Sequence, residues 1–277
     1  MKQIILLFLG VFMAINLNAQ NSEKVKGNRV VTTIVTEIDA FHTIEIDEDF
    51  EIDIIYNKTP SVEIETDENL HEFITFSVRD SVLSFNKTRR ITSKKKLKIK
   101  VNYDDYLANI ETRDDGEIYS LTTMDLINVS LKTTGSSKVG LTIKTDNFYF
   151  EGLDKSKIKL NLTADSTKVI LNGNSKLEAL IYSPILNADL YQRSDAIIEG
   201  NCDYLTLRTD NNSQFSGKNF TVKNCNVSCE IASDATLEVI DTITLEASGS
   251  SAVYIYNNPK IIVNKLTDTS KIQKKEK

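Results

Sequence analysis

The chain has 277 residues, 39 acidic and 33 basic side chains, a net charge of −6, three cysteines, three prolines and no tryptophan. A mildly acidic balance excludes a nucleic-acid-binding role, because neutralising phosphates needs basic side chains gathered on one surface. Three cysteines exclude a disulfide-stapled scaffold, since at most one bridge can form.

The first element is MKQIILLFLGVFMAINLNAQ. Lys2 precedes an apolar run from Ile4 to Ile15, shorter than the ~20 residues that cross a bilayer, and Ala19 stands just before Gln20. This is the layout of an export signal over residues 1–19. Its removal takes away Lys2 and moves the net charge to −7. No later stretch reaches the length of a membrane helix, so no transmembrane segment is expected after cleavage. Residues 20–27 are polar and are expected to be disordered.

Residues 28–107 read as short strands. "HTIEIDEDFEIDIIY", "SVEIETD", "FITFSV" and "LKIKVNY" alternate apolar and polar residues, and "NKTP" and "RDS" turn the chain between them. No constant spacing links them, so the segment is expected to form either irregular first rungs of a stack or a β cap on its end. The basic run "SKKKLKIK" at 93–100 alternates into a strand and reads as its solvated face.

From residue 108 the alternation acquires a repeat. Apolar anchors at Ile118, Val139, Ile158, Leu177, Ile198, Phe215, Leu237, Val253 and Ile272 are separated by 21, 19, 19, 21, 17, 22, 16 and 19 residues. Two positions before them stand Gly116, Ser137, Ser156, Ser175, Ala196, Ser213, Ala235, Ser251 and Ser270, all small. Eight positions before them the residues are Ile110, Leu131, Phe150, Val169, Leu190, Leu207, Cys229, Leu245 and Asn264. Strands this short bury nothing alone and gain a core only by stacking, which predicts an all-β parallel β-helix or β-solenoid over 108–272 with ~19-residue rungs. Small residues recur because corner side chains of successive rungs lie directly above one another. A five-residue tail, 273–277, is expected to be disordered.

The repeated "GSSKV" (135–139) and "GSSAV" (249–253) are therefore corners. Neither has the lysine and hydroxyl that follow the two glycines of a phosphate loop, or the second glycine of a nucleophile elbow. The two histidines, His42 and His71, lie apart from any cysteine or acid at metal-ligand spacing, so no metal or other cofactor is expected. The acids Glu111, Asp114, Asp115 and Glu117, and the run from Glu45 to Asp53, read as solvated faces, with at most weak calcium binding in the second. Cys229 sits in an inward column. Cys202 and Cys225 share that parity and could bridge neighbouring rungs in an exported protein. Lys138, Lys157, Lys176 and Lys271 precede their anchors by one residue and form a regular outward stripe, serving solubility or binding.

"AFHTIEIDEDFEIDIIYNKTPSVEIETDENL" at 40–70, "DDGEIYS" at 114–120 and "SGSSAVYIYNNPKIIVNKLTDTSKI" at 248–272 resemble the head GIN domain, a family of exported bacterial proteins named as auto-transporter adhesins. The likeness spans roughly 28–272, although this chain uses Ser, Asn and Asp at corners where the family is glycine-rich. It implies a right-handed β-helix of the cell envelope or exterior, the hand also usual for parallel crossovers. It brings no catalytic or ligand residues. The resulting expectation is a non-enzymatic adhesin-like or structural module, in the periplasm, on the outer membrane or outside the cell, that binds a surface glycan or protein. A polysaccharide-acting β-helix enzyme and an envelope scaffold are the alternatives.

Overall fold

A tight turn repeats once per rung and sets the register of everything else. The computed structural model describes residues 23–276. The expected export signal lies outside the described residues. At the second residue of each turn φ is positive, at Glu48, Asp114, Gly135, Asp154, Gly173, Gln192, Asn211, Ile231, Gly249 and Asp268. Glycine suits this left-handed conformation, and Asp and Asn tolerate it better than other side chains. Gly135 also needs its missing Cβ, which would sit 2.7 Å from the Asp114 backbone one rung below. The aspartates do a further job, because Asp154 Oδ2 accepts the Gly135 N–H at 3.0 Å and Asp268 Oδ2 accepts the Gly249 N–H at 2.9 Å.

Each turn closes on a buried serine. The column runs Ser137, Ser156, Ser175, Ser194, Ser213, Ser233 and Ser251, each at most 1% exposed, with Gly116 before it and Ser270 after it. Serine fits because its hydroxyl satisfies carbonyls that the turn turns inward. Ser251 Oγ shares its one hydroxyl hydrogen between Ser248 O of its own turn, at 2.8 Å, and Cys229 O of the preceding rung, at 2.9 Å. Ser213 Oγ donates to Leu190 O at 3.1 Å and accepts the Asp210 N–H at 3.0 Å. Ser175 Oγ is buried and finds no partner.

Parallel pairing stacks the rungs. Val139, Ile158, Leu177, Ala196, Phe215, Ala235, Val253 and Ile272 follow one another in register. The sequence register is therefore corrected in two rungs. Ala196 and Ala235 are the anchors, not Ile198 and Leu237, and Ser194 and Ser233 are the corner residues, not Ala196 and Ala235. In the upstream column Ala188 and Val227 replace Leu190 and Cys229, while Val263 replaces Asn264. The slips are of two residues or one. A two-residue slip keeps every side chain on its own face, so apolar alternation cannot detect it. The architecture is a β-solenoid of about nine turns with rungs of roughly 19 residues. Inward columns such as Ile110, Leu131, Phe150 and Val169 form one continuous core.

Residues 28–107 contain both in-register strands and a cap. Thr43–Ile46 and Glu51–Tyr56 pair parallel with Asn109–Thr112 and Glu117–Ser120, forming a rung below the first repeat. Beneath them Val82–Lys87 and Leu97–Tyr103 add a parallel layer. Chain direction then reverses. Ile74–Arg79 runs antiparallel to Val82–Lys87, and Ser61–Asp67 lies antiparallel between Leu97–Tyr103 and Val31–Glu37. The expected disorder of 20–27 does not extend to Lys24–Lys26, which pairs with Arg90–Ser93. Buried Asp67 secures this junction by accepting the backbone N–H groups of Arg29 and Lys95 at 3.1 Å. At the other end Lys271–Lys274 is a strand, so ordered pairing continues two residues into the expected tail.

Candidate functional site

Outward side chains of successive rungs form columns, and most charged columns neutralise themselves. Lys132 faces Glu151 at 3.5 Å, Lys144 faces Asp125 at 3.0 Å, Lys223 faces Asp203 at 2.7 Å, and Lys168 pairs with Asp189. Glu45 and Glu111 are like charges in adjacent rungs, bridged by Arg113. These acids, together with Asp114 in its left-handed turn, are structural. Among the described residues no group of three or more His, Cys, Asp or Glu side chains is placed to hold a metal.

The lysine column departs from this rule. Lys138, Lys157 and Lys176 stand in register on three consecutive rungs, with Glu117 below and Asp195 above. Lys138 Nζ reaches Glu117 Oε1 at 2.5 Å, and Tyr119 donates its hydroxyl to Glu117 Oε2 at 2.7 Å. Partial burial pushes the Glu117 carboxyl up, but these two donors outweigh it and hold the group below the usual carboxylate range. Lys157 and Lys176 are exposed and make no ion pair among the described residues. Lys271 occupies the same column, but Asp195, Gln214, Asp234 and Ala252 stand between it and Lys176. The structure thus joins three of the four stripe lysines and separates the fourth.

Beside the three lysines an open groove of about 500 Å³ crosses four rungs. Its floor follows Gly140, Lys159, Glu178 and Ile197, the next outward column of the same strands. Its far wall is Thr142, Asn161, Leu180 and Glu199. Lys159 pairs with Glu178 at 3.6 Å, and Glu199 accepts the Asn219 side-chain amide at 3.2 Å. Sequence reasoning missed the wall because it followed only inward columns and the residue before each anchor. The same spacing, read three positions after the anchor, identifies Thr142, Asn161, Leu180 and Glu199 in the corrected register.

The remaining candidates are structural. Cys202 and Cys225, the pair offered for a bridge, are both free and buried, as is Cys229. The register sets Cys202 beside Val222 and Cys225 beside Leu205, so neither is the other's cross-rung neighbour. Burial pushes the Cys202 thiol up to about 11, and raises Cys225 and Cys229 as well, which suits inert core thiols. His42 hydrogen-bonds Asn109 and sits edge-on to the Tyr106 ring. His71 lies in a 3₁₀ turn, Glu68–Phe73, rather than a strand, and bonds Thr32.

A family described as "Putative auto-transporter adhesin, head GIN domain" matches residues 40–183 and 161–259. No curated protein matches the chain. Among solved structures, a "putative adhesin" from Parabacteroides merdae is 17% identical over 91% of this chain and 99% of its own, with a TM-score of 0.60. Another from Parabacteroides distasonis is 16% identical over 91% and 100%, with a TM-score of 0.63. A "putative lipid binding protein" from Parabacteroides distasonis is 14% identical over 91% and 99%, with a TM-score of 0.54. At these identities the likeness shows a shared fold.

Proposed function

The chain belongs to the head GIN domain family, and from that premise we propose that it is an exported, adhesin-like module that binds a surface ligand without transforming it. The observation that carries this reading is the groove over Gly140, Lys159, Glu178 and Ile197. It offers hydroxyl, amide and apolar contacts side by side, a mixture suited to the polar and apolar faces of a sugar. Its floor is a ladder already hydrogen-bonded from rung to rung, so binding orders little backbone and loses little affinity to reorganisation. Its two carboxylates each have a neighbour, Lys159 for Glu178 and the Asn219 amide for Glu199.

Retention and product release, measured together on an immobilised panel of glycans and matrix proteins, test the proposal. The mature protein should retain a ligand unchanged, and the double variant Asn161→Ala, Ile197→Asp should weaken retention about tenfold without changing the circular dichroism spectrum. Product release abolished by Glu178→Gln or Glu199→Gln would establish the polysaccharide-acting enzyme instead. Absence of retention across the whole panel would leave an envelope scaffold.

A further inference from the structure

We propose that Lys138, Lys157 and Lys176 are the charged wall of the groove, and that its ligand is an acidic linear glycan lying along the rod axis with its anionic groups on successive rungs. The inference rests on the groove being the binding site and adds the class of ligand. Like charges directly opposite one another in a sheet are destabilising. Elsewhere on the outward faces, neighbours of opposite sign offset that cost at Lys132–Glu151 and Lys168–Asp189, and Arg113 offsets it between the like-charged Glu45 and Glu111. The three lysines keep it, and only Lys138 has an acid partner. A polyanion laid across them would supply the missing charge.

Position and spacing point the same way. Residues two apart in a strand project from the same face, so Lys157 stands beside Lys159 and the lysine column runs next to the groove floor on three of its four rungs, with Asp195 on the fourth. Rungs repeat every ~4.8 Å, close to the rise of one sugar ring in an extended chain. Each lysine can therefore meet one carboxylate or sulfate while the rings lie over Ile197 and Leu180 and their hydroxyls face Thr142 and Asn161. Acids bound the run at both ends, Glu117 below and Asp195 above, so the wall holds three charges. Glu199, whose partner is the neutral Asn219 amide, disfavours an anion on the far side of the groove, while Lys159 offsets Glu178 in its floor.

Titration calorimetry with galacturonate oligomers of two to six residues tests this, with neutral glucan oligomers of equal length and a single-stranded DNA oligomer as controls. Affinity for the uronate series should rise up to three residues and then level, and should fall steeply as salt shortens the Debye length from about 10 Å toward 3 Å. Each of Lys138→Gln, Lys157→Gln and Lys176→Gln should weaken binding about two- to fivefold, as expected for exposed ion pairs. The triple variant should lose at least about tenfold, and the double variant Lys157→Gln, Lys176→Gln should keep an equal or higher Tm, because it relieves repulsion without breaking the Lys138–Glu117 ion pair. Lys271→Gln should change nothing. Asp195→Lys should add a rung and move the plateau to four residues. Equal binding of neutral and acidic oligomers, or an unaffected triple variant, overturns the charged wall but leaves the groove reading intact. Tighter, lysine-dependent binding of DNA overturns the glycan assignment. Loss of acidic and neutral binding alike, across the full panel above, removes both proposals.

Discussion

Residues 108–272 and residues 23–107 contain the same kind of strand but solve different problems. In the first region a strand's neighbours are its own counterparts, 18 to 21 residues away for the most part, and every pairing is parallel. In the second, parallel layers give way to antiparallel strands that close both faces of the rod at one end. The last rung of a stack exposes a row of unpaired backbone groups. At this end a change of direction covers that row and the sequence abandons the repeat, whereas Lys260–Leu266 and Lys271–Lys274 at the other end keep the parallel register.

Damage to the closing strands should therefore spread differently from damage to the stack. Val62 is fully buried in Ser61–Asp67, which is paired on both sides. Val62→Asp buries an unpaired charge and should cost more than about 3 kcal/mol. In a chain whose stability is a sum of neighbouring-rung terms, hydrogen exchange should accelerate over 41–56 and 97–120 while 196–256 keeps its protection. Uniform loss of protection would show that rod and cap unfold as one unit.

Alkaline titration should separate the two regions by pH. Burial raises the Cys202 thiol in the stack to about 11 from an ordinary 9.0, and the Tyr103 phenol in the cap to about 12 from 10.0. Both groups fold as neutral acids with raised pKa values, so their contribution is full below the unfolded pKa and is lost as pH rises through the folded one. Relative to Cys202→Ser, the native protein should lose on the order of 2 kcal/mol between pH 9 and 11. The contribution from Tyr103 should fade about one pH unit later, which Tyr103→Phe would abolish. Denaturation melts of the three proteins across pH 8–12 give the answer, and a native protein tracking Cys202→Ser throughout would rule out a buried, titrating thiol.

The smallest effect lies within the serine column. Ser213→Ala removes a hydroxyl that bonds both Leu190 O and the Asp210 N–H, and should cost about 1 kcal/mol. Ser175→Ala removes a buried hydroxyl without a partner and should be neutral or slightly stabilising. Chemical denaturation midpoints with unchanged slopes check the pair, and equal losses would mean that steric fit, not hydrogen bonding, selects serine.

Much of this was readable from residue order. Alternation placed the strands, and the recurrence of small residues announced the stack, because stacked corners tolerate little else. The same reading misplaced two rungs by two residues, since a period of two is blind to a slip of two. The turn column removes the ambiguity, as the "RSDA" and "ASDA" corners place Ser194 and Ser233 one residue before their aspartates. The lysine stripe was visible, yet only three of its members proved contiguous. The groove was not visible, because outward positions vary freely and carry no periodic apolar signal.

Residue order alone therefore dictated a coil that must stack, through short-range patterning that every rung repeats. Pairing across rungs settled the rest. It chose the register, aligned Lys138, Lys157 and Lys176 beside Thr142 and Asn161, and sealed one end by reversing the chain. Those outcomes depend on contacts between residues tens of positions apart, and no local window of sequence contains the energies that select them.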